Sequence, residues 1–375
     1  MIPLTTAKPL KILMVYIEPT PYVIGLITTL IDTYKGQIEI LFLGENISQQ
    51  WNIPLPQQWQ LLPSSLKTRT HCIYQLFFKK QYDLMHLAGW GTPLLLFFII
   101  TAKLLRIPTV IESDTPLSNQ VKWWKRIIKK LCYPIFFQWI HLFLPAGKKQ
   151  ADYFKYYGVK PKYIMPVHMT VDVTKIKNYI DTLTVLDRCH IRQRYHLDEN
   201  HIVFLFVGRL VEYKGILDLI SAFNRVRHLH TILLIVGGGP LHLQIEAIVK
   251  TNPNIRYAGR LSGQALMDIY YAADVCVLPS HIEPWGLVIN EAMATHLPVI
   301  VSDQVGCIDD LVIHQETGII VKAKCITELQ VAIEELANFP QKRAAMAKQS
   351  ALKISTWTLE NEAQKICQAW CSLQQ

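Results

Sequence analysis

Short runs of apolar and β-branched residues alternate along the chain with longer segments whose apolar positions have helical spacing. The short runs have the length of buried strands, and their alternation with helices is typical of parallel sheets built from β–α–β units. The predicted strands are residues 11–17, 38–43, 84–87, 109–112, 142–145, 202–207, 231–236, 275–279 and 299–302. We therefore predict an α/β protein.

The strands form two series, separated by a polar segment, residues 172–200, that has little periodicity. With 375 residues, the chain is long enough for two or three domains. We predict two Rossmann-like domains, residues 1–185 and residues 186–358, with the boundary near residue 185. The terminal segment, residues 359–375, is predicted to be helical, and its pattern alone leaves open which domain it packs against.

The longest apolar stretch, residues 93–105, contains Lys103 and is shorter than the ~20 apolar residues that a spanning helix needs. It is therefore predicted to be a buried helix. No secretory leader is recognisable at the start of the sequence, and the eight cysteines include no C-x-x-C pair. We expect free thiols in a reducing cytoplasm, with Cys367 and Cys371 packed in a helix rather than bound to a metal.

The net charge of +9 is unevenly placed. Residues 1–185 contain 21 Lys and Arg against 10 Asp and Glu, a net charge of +11, whereas the remaining residues contain 17 against 19, a net charge of −2. A basic half beside a nearly neutral half indicates an anionic partner for the first domain only.

Much of this charge lies in an acid-free stretch, residues 115–151, that holds seven Lys and Arg. Within it, residues 121–131 interleave Trp and Ile with cations, which suits a helix lying on an anionic membrane surface. The same pattern equally suits a helix that packs inward with a solvated basic face. Nucleic acid is not expected as a partner, because no recognition motif accompanies the cations. We predict peripheral attachment to the inner face of the cytoplasmic membrane.

Two glycine-containing turns follow strands of the second domain. Gly208 is followed by Arg209 and Lys214, whose planar guanidinium and compact ammonium suit a diphosphate at the carboxyl edge of a sheet. Gly238 is the middle of three glycines before Pro240, where backbone can approach a ligand closely. The turn is not G-x-G-x-x-G, so a nicotinamide cofactor is not supported. Either turn alone is equally explained as an ordinary surface loop.

Two carboxylates stand eight residues apart in the segment that follows the strand at 275–279. Glu283 precedes a predicted helix that begins near Gly286 and Leu287, and Glu291 lies about two turns inside it. The helix N-terminus offers N–H groups and a positive dipole end to an anion. One carboxylate can bind sugar hydroxyls and the other ribose hydroxyls, although Glu is also a common residue of ordinary surface helices.

Together these motifs resemble the retaining GT-B glycosyltransferases of family 4, also called glycosyl transferases group 1. The resemblance covers about residues 200–320 and includes the Gly-Arg-Leu and Lys-Gly elements, the glycine triplet, the Tyr-Tyr-Ala-Ala-Asp run ending at Asp274, and the Glu-x7-Glu element. It implies a GT-B fold, in which two Rossmann-like parallel-sheet domains face a cleft. It further implies a UDP- or GDP-sugar donor and retention of the anomeric configuration.

On the family pattern, Arg209 and Lys214 hold the diphosphate, Glu283 contacts the donor sugar and Glu291 contacts the ribose. The backbone at residues 286–287 meets the sugar and phosphate, and the last helix returns to the first domain. No Asp-x-Asp element is present, and the adjacent acids at 309 and 310 are expected to face different ways. We therefore expect no metal and no cofactor.

The acceptor side departs from the family pattern. Glu18 and prolines replace the usual glycine-rich loop after the first strand, and Glu112-Ser-Asp114 stands where the family commonly has a histidine. We predict that Glu112 or Asp114 contacts the acceptor. His86, at a strand end, either contacts the acceptor as well or is a core histidine with its hydrogen bonds satisfied.

The sequence thus predicts a metal-independent hexosyltransferase of polysaccharide biosynthesis. It would move a sugar from a nucleotide-diphosphate sugar to a glycan or lipid-linked acceptor at a membrane. A sugar-nucleotide hydrolase or epimerase, or an inactive donor-binding subunit on the same scaffold, is the alternative. The intact Arg/Lys and Glu pairs weigh against an inactive protein.

Overall fold

The computed structural model describes residues 9–45, 55–117 and 122–374, and the chain divides into two compact units. Unit 1 consists of Met1–Met169 together with Leu359–Gln375, and unit 2 consists of Thr170–Thr358. Each unit contains a six-stranded sheet flanked by helices.

The strands of unit 1 are β1 (Lys11–Tyr16), β2 (Gln37–Phe42), β3 (Gln60–Leu61), β4 (Leu84–Ala88), β5 (Thr109–Ser113) and β6 (Leu142–Pro145). They lie in the order β3-β2-β1-β4-β5-β6, and every pairing is parallel. The order reverses between β1 and β4. In open α/β sheets, ligands bind in the crevice at the carboxyl ends of the strands that flank such a reversal.

Unit 2 repeats this arrangement with β7 (Ile202–Val207), β8 (Thr231–Val236), β9 (Ile255–Tyr257), β10 (Val275–Leu278), β11 (Val299–Ser302) and β12 (Gly318–Val321). Its order is β12-β11-β10-β7-β8-β9, again with parallel pairings. The reversal therefore falls between β7 and β10. The apolar pattern does not predict β3, β9 and β12, each of which lies at an edge of its sheet and has only one partner strand.

The connecting helices pack against these sheets. The α-helices of the described residues are α1 (Pro21–Thr33), α2 (Leu66–Tyr74), α3 (Pro93–Leu104), α4 (Trp123–Phe136), α5 (Lys148–Tyr156), α6 (Val173–Ile180), α7 (Val185–Arg194), α8 (Ile216–Phe223), α9 (His242–Thr251), α10 (Gly263–Ala272), α11 (Leu287–Ala294), α12 (Ile308–Leu311), α13 (Ile326–Asn338), α14 (Pro340–Ile354) and α15 (Leu359–Ser372).

The division between the units falls at residues 169 and 170, whereas the sequence pattern places it near residue 185. The polar segment in between folds as α6 and α7, which pack on unit 2. Arg188 and Arg192 both bind the carboxylate of Asp274, at 2.9 and 2.8 Å. Because a partly buried carboxylate holds both guanidinium groups, this segment belongs to unit 2 in spite of its polarity.

Helix α15 belongs to unit 1, where it packs along α1. Its buried face is largely apolar, with Leu359, Ile366 and Trp370, and also includes the carboxylate of Glu362. Cys367 is also buried in this contact. The chain therefore returns to the first sheet after completing the second.

The helices α3 and α4 expose apolar side chains on the outside of unit 1. Helix α3 is half-buried rather than buried as its pattern predicts, because Leu96, Phe97, Ile100 and Leu104 face outward. Helix α4 buries no side chain. Six of its apolar side chains are between 44% and 75% exposed: Trp123, Trp124, Ile127, Ile128, Leu131 and Ile135.

The Trp and Ile side chains of the basic segment therefore do not pack inward, and α4 contacts the core of unit 1 through Tyr133 and Phe136. Its cations lie beside aromatic rings instead, with Lys129 over Tyr133 and Tyr153, and Lys130 over Tyr156. Residue 121, with which the basic segment begins, lies outside the described residues. No helix within the described ranges combines the length and the apolar character that crossing a bilayer requires.

A close approach of two loops in unit 2 requires glycine at Gly215, which has φ +71°. A Cβ there would lie 2.3 Å from the carbonyl oxygen of Pro279, whereas a Cβ at Gly259, also at φ +71°, would meet nothing within 4 Å. We expect Gly259→Ala to cost about 1–2 kcal/mol of unfolding free energy, the strain of left-handed backbone alone. We expect Gly215→Ala to cost roughly 3 kcal/mol or more, because steric overlap adds to that strain.

Urea unfolding of both variants measures this difference. Equal losses of stability would show that the contact between Gly215 and Pro279 does not constrain the fold.

Candidate active site

The loops after β7 and β10 meet where the strand order of unit 2 reverses. Gly208 directly follows β7, and Lys214 ends a short 3₁₀ turn, Glu212–Lys214, in the same loop. Glu283 lies in the loop after β10. Because β7 and β10 are neighbours, residues far apart in the sequence come together at one edge of the sheet.

An ion pair joins these two loops, with Lys214 Nζ in contact with Glu283 Oε2. The side chains are only 16% and 10% exposed, so water screens the pair weakly. Ser280 Oγ lies 3.4 Å from the same carboxylate oxygen. The resemblance gives Lys214 and Glu283 separate roles, and the structure places them in direct contact. Each charge therefore holds the other in position.

Arg209, in the loop after β7, is exposed. Its guanidinium contacts the hydroxyl of Tyr213 and lies 5.7 Å from the centre of the Tyr213 ring. A cation over an aromatic face keeps its charge accessible while its stem is ordered. The loop after β7 thus carries one shielded cation, Lys214, and one accessible cation, Arg209.

The glycine turn after β8 lies beside the same loop, since Leu210 N–H donates to the Gly238 carbonyl at 2.9 Å. Arg260 packs against this turn, because a Cβ at Gly238 would lie 3.1 Å from its Nε. This third cation is not predicted from the sequence. The signal is present, because Arg260 follows Gly259 just after β9, in the same order as the Gly-Arg pair after β7.

Helix α11 is preceded by Gly286, whose φ of +100° turns the chain sharply into the helix. A Cβ at Gly286 would lie 3.0 Å from Val305 Cγ1 and 3.3 Å from Glu283 Cγ, so only glycine fits without displacement. Within the described part of the chain, no backbone acceptor is placed at the N–H groups of Leu287 and Val288. These groups form the positive end of a helix next to Glu283, which suits an anion.

Glu291 lies on α11, and the Tyr270 hydroxyl donates to its Oε2 at 2.7 Å. Burial raises the pKa of Glu291 to about 7, although the hydrogen bond from Tyr270 opposes the shift. The pKa of Tyr270 is raised well above its usual range, first by burial and then by the Glu291 charge. The phenol therefore remains a donor, and the carboxyl group titrates near neutral pH.

A buried network of hydrogen bonds anchors α11. The side chain of Asn290 accepts from Trp285 Nε1 at 3.1 Å and donates to Thr170 Oγ1 at 3.1 Å. The Thr170 hydroxyl donates to the Trp357 carbonyl at 2.8 Å, and the rings of Trp285 and Trp357 stack at 5.7 Å. The sequence pattern does not single out these residues, because Thr170, which joins the network, lies 120 positions from Asn290 and 187 from Trp357.

The reversal point of unit 1 carries a different set of groups. Glu112 Oε2 accepts from the Tyr16 hydroxyl at 3.0 Å and lies 3.1 Å from His86 Nε2. Asp114 is exposed in the loop after β5. Burial raises the pKa of Tyr22 to about 12, and the charges of Asp114, Glu112 and Glu18 act in the same direction. The two carboxylates predicted from the sequence and a third, Glu18, therefore all lie near enough to Tyr22 to raise the pKa of its hydroxyl.

His86 is fully buried, with no side-chain surface exposed to solvent. Its two ring nitrogens are both hydrogen-bonded, Nε2 to Glu112 and Nδ1 to the indole of Trp370. Of the two interpretations that the sequence leaves open, the structure therefore supports the core histidine. The Glu112 side chain, in contrast, is 15% exposed.

Asp309 is exposed and Asp310 is buried, so these adjacent acids face different ways, as the sequence predicts. Among the described residues, no group of three or more His, Cys, Asp and Glu side chains is placed to hold a metal ion.

The sequence of unit 2 matches a known protein family. Residues 187–353 match the family model described as Glycosyl transferases group 1. Glycogen synthase of Mycobacterium tuberculosis is 33% identical over 161 residues, which are 41% of this chain and 39% of that protein. Alpha-D-kanosaminyltransferase of Streptomyces kanamyceticus is 30% identical over 176 residues, 46% of this chain and 45% of that protein. The chain thus spans less than half the length of these relatives.

Comparison of the fold with solved structures covers nearly the whole chain. The Anabaena protein HepE in complex with UDP-glucose superimposes with a TM-score of 0.76 at 18% identity, over 97% of this chain and 100% of that one. Sucrose-phosphate synthase from Thermosynechococcus elongatus gives 0.74 at 20% identity, over 97% and 98%. The predicted GT-B fold, with two Rossmann-like parallel-sheet domains, is confirmed.

The raised pKa of Glu291 makes the stability of unit 2 depend on pH. Its folded pKa of about 7 exceeds its ordinary 4.5, so its contribution to stability is complete below pH 4.5 and is lost as pH rises through 7. Glu291→Gln keeps an acceptor for Tyr270 and carries no charge. We expect the unfolding free energy of Glu291→Gln to rise relative to that of the wild type by about 2 kcal/mol between pH 5 and pH 8.

Urea unfolding at the two pH values measures the change, with Glu246→Gln, an exposed glutamate of the same unit, as the control. An advantage that is the same at both pH values would contradict the raised pKa.

Proposed function

We propose that the protein is a retaining glycosyltransferase, because residues 187–353 match the family model of Glycosyl transferases group 1. It moves a sugar from a UDP- or GDP-sugar to a glycan or lipid-linked acceptor. The observation that supports this proposal most directly is the cluster at the reversal point of unit 2, where Lys214 meets Glu283 beside Arg209 and the start of α11.

The positive groups at this edge match the negative diphosphate of a sugar donor. Arg209 and Lys214 bind the two phosphates, one from the accessible and one from the shielded side. The N–H groups of Leu287 and its neighbour add the positive end of α11. Glu291 accepts hydroxyls of the ribose, and Glu283 accepts those of the transferred sugar. The backbone of Gly208 and the glycine triplet around residue 238 leave room for the nucleotide.

The reaction needs a group that stabilises the leaving diphosphate. As the bond between C1 and the phosphate oxygen breaks, negative charge grows on the diphosphate and the two cations stabilise it, so no metal is required. In a front-face reaction, the acceptor hydroxyl oxygen bonds to C1 on the side that the phosphate leaves. Its proton passes to the departing phosphate oxygen, and the anomeric configuration is retained.

The acceptor side is proposed to lie at the carboxyl edge of unit 1. Glu112, Asp114 and Glu18 supply acceptors for saccharide hydroxyls there, as their joint effect on Tyr22 indicates. The sheet edge is thus acidic, although residues 1–185 carry a net charge of +11.

The outside of unit 1 is proposed to bind an anionic membrane as a peripheral surface. The apolar stripe of α4 faces solvent and lies beside five cations, and α3 exposes a second apolar face. A helix with this arrangement places Trp and Ile in the interface while its cations reach lipid phosphates. An acceptor attached to a lipid would then be held near the protein.

Removal of one phosphate-binding cation tests the donor site. We expect Arg209→Ala and Lys214→Ala each to lower turnover about 10²–10³-fold, the usual cost of losing one such stabilising group. Turnover is measured as release of nucleoside diphosphate from UDP-glucose or GDP-mannose, with octyl β-D-glucoside as acceptor and excess EDTA present.

Lys250→Ala, an exposed cation at the end of α9, is the matched control and should retain wild-type turnover. Melting temperatures accompany the assay, because Lys214→Ala also leaves the Glu283 charge shielded and unpaired. Near-wild-type turnover in both variants at saturating donor would remove these cations from the mechanism. Complete inactivity of the wild type in EDTA, reversed by Mg²⁺ or Mn²⁺, would contradict metal independence.

Membrane attachment is tested by co-sedimentation with vesicles of phosphatidylcholine alone or with phosphatidylglycerol. We expect binding to the anionic vesicles only, lost in high salt, because each Lys or Arg near the surface contributes about 1 kcal/mol that ions screen. Two variants should lose it: one with the cations at 122, 125, 126, 129 and 130 changed to Gln, and one with Trp123 and Leu131 changed to Ser.

A variant with Lys348 and Lys353 of α14 changed to Gln controls for the loss of cations outside α4 and should bind as the wild type does. Wild-type protein that ignores anionic vesicles at low salt would rule out the attachment. Unchanged binding of the α4 variants would place it elsewhere on the protein.

A further inference from the structure

A chain of hydrogen bonds runs from the terminal helix of unit 1 to its sheet edge. Trp370 Nε1 donates to His86 Nδ1 at 3.1 Å, and His86 Nε2 lies 3.1 Å from Glu112 Oε2. The Tyr16 hydroxyl reaches the same carboxylate oxygen at 3.0 Å. Trp370 and His86 are both fully buried, so water does not compete for these bonds.

This chain of hydrogen bonds determines which imidazole nitrogen of His86 carries the proton. An indole N–H is a donor only, so Nδ1 of His86 has to accept and carries no proton. The single ring proton is therefore on Nε2, from which it donates to Glu112. The indole ring also packs edge-on against the imidazole, at 5.8 Å between centroids and 84° between planes.

The two donors occupy only one oxygen of Glu112. The pKa of Tyr16 is raised well above its usual range, first by burial and then by Glu112, so its hydroxyl stays protonated and donates. Both hydrogen bonds end at Oε2, and no described residue donates to Oε1. The Glu112 side chain is 15% exposed, so this second oxygen can reach a ligand.

We propose that Trp370 is a positioning residue for the acceptor. Its indole N–H selects the Nε2–H form of His86, which holds Glu112 so that Oε1 accepts a saccharide hydroxyl. The inference rests on the proposed function, since it names the group that orients the acceptor carboxylate. It also gives α15 a role beyond packing, because this helix supplies the donor that begins the chain.

The test uses Trp370→Phe, which keeps an aromatic ring and removes the N–H. The matched control is Trp59→Phe, the same change in the same apolar core. The indole N–H of Trp59 has no acceptor among the described residues. Melting temperatures of both variants show the cost of the smaller ring alone.

The first measurement is ¹⁵N NMR of the histidine rings in the full chain, with His86 assigned from the spectrum of His86→Gln. We expect one protonated nitrogen, Nε2, in the wild type and in Trp59→Phe. In Trp370→Phe we expect both tautomers to be populated. A pure Nε2–H tautomer in Trp370→Phe, or protonated Nδ1 in the wild type, would overturn the inference whether or not the protein transfers sugar.

The second measurement is the kinetics of transfer from UDP-glucose to octyl β-D-glucoside. We expect Trp370→Phe to raise KM for the glucoside about tenfold, the size of one hydrogen bond to a charged group, with KM for UDP-glucose unchanged. Trp59→Phe should alter neither constant. An equal loss in kcat for both variants would indicate general damage to the core and would contradict a positioning role. Wild-type protein that uses no sugar acceptor would count against the proposed function, while the NMR result still decides the tautomer.

Discussion

The ion pair between Lys214 and Glu283 joins the loops after β7 and β10, which meet at the reversal point of unit 2. Each loop leaves a strand at the reversal point and enters a helix at a left-handed glycine, Gly215 for α8 and Gly286 for α11. These glycines allow the loops to approach so closely that both charges are shielded from water. A shielded cation paired with a carboxylate is ordered before any ligand binds, which lowers the cost of binding a diphosphate there.

The same topology carries a different chemistry in unit 1. Where unit 2 presents cations and helix N–H groups, unit 1 presents carboxylates, with Glu112 held by internal donors. Its positive charge lies instead on the outside, along α4. Two identical strand orders thus place different groups at their carboxyl edges: cations paired in part with carboxylates in unit 2, and carboxylates held by neutral donors in unit 1.

Much of this organisation is predictable from the sequence, because nine strands leave a clear apolar pattern and the glycine, cation and carboxylate motifs follow directly after them. Edge strands such as β3 leave almost no pattern. The boundary at residue 170 depends on ion pairs to Asp274, and the burial of His86 depends on Trp370, far away in the chain. Contacts of this kind are set by the tertiary fold, and no local periodicity encodes them.

We propose that a nucleotide sugar binds at the carboxyl edge of unit 2. Amide hydrogen exchange with UDP-glucose and with GDP-mannose, at concentrations that saturate binding by calorimetry, measures this most directly. With one of these two nucleotide sugars bound, we expect the backbone amides of residues 208–215 and of residues 286–291, at the start of α11, to exchange more slowly than in the free protein. Saturated binding that leaves both segments unprotected, or protects only other parts of the chain, would contradict it.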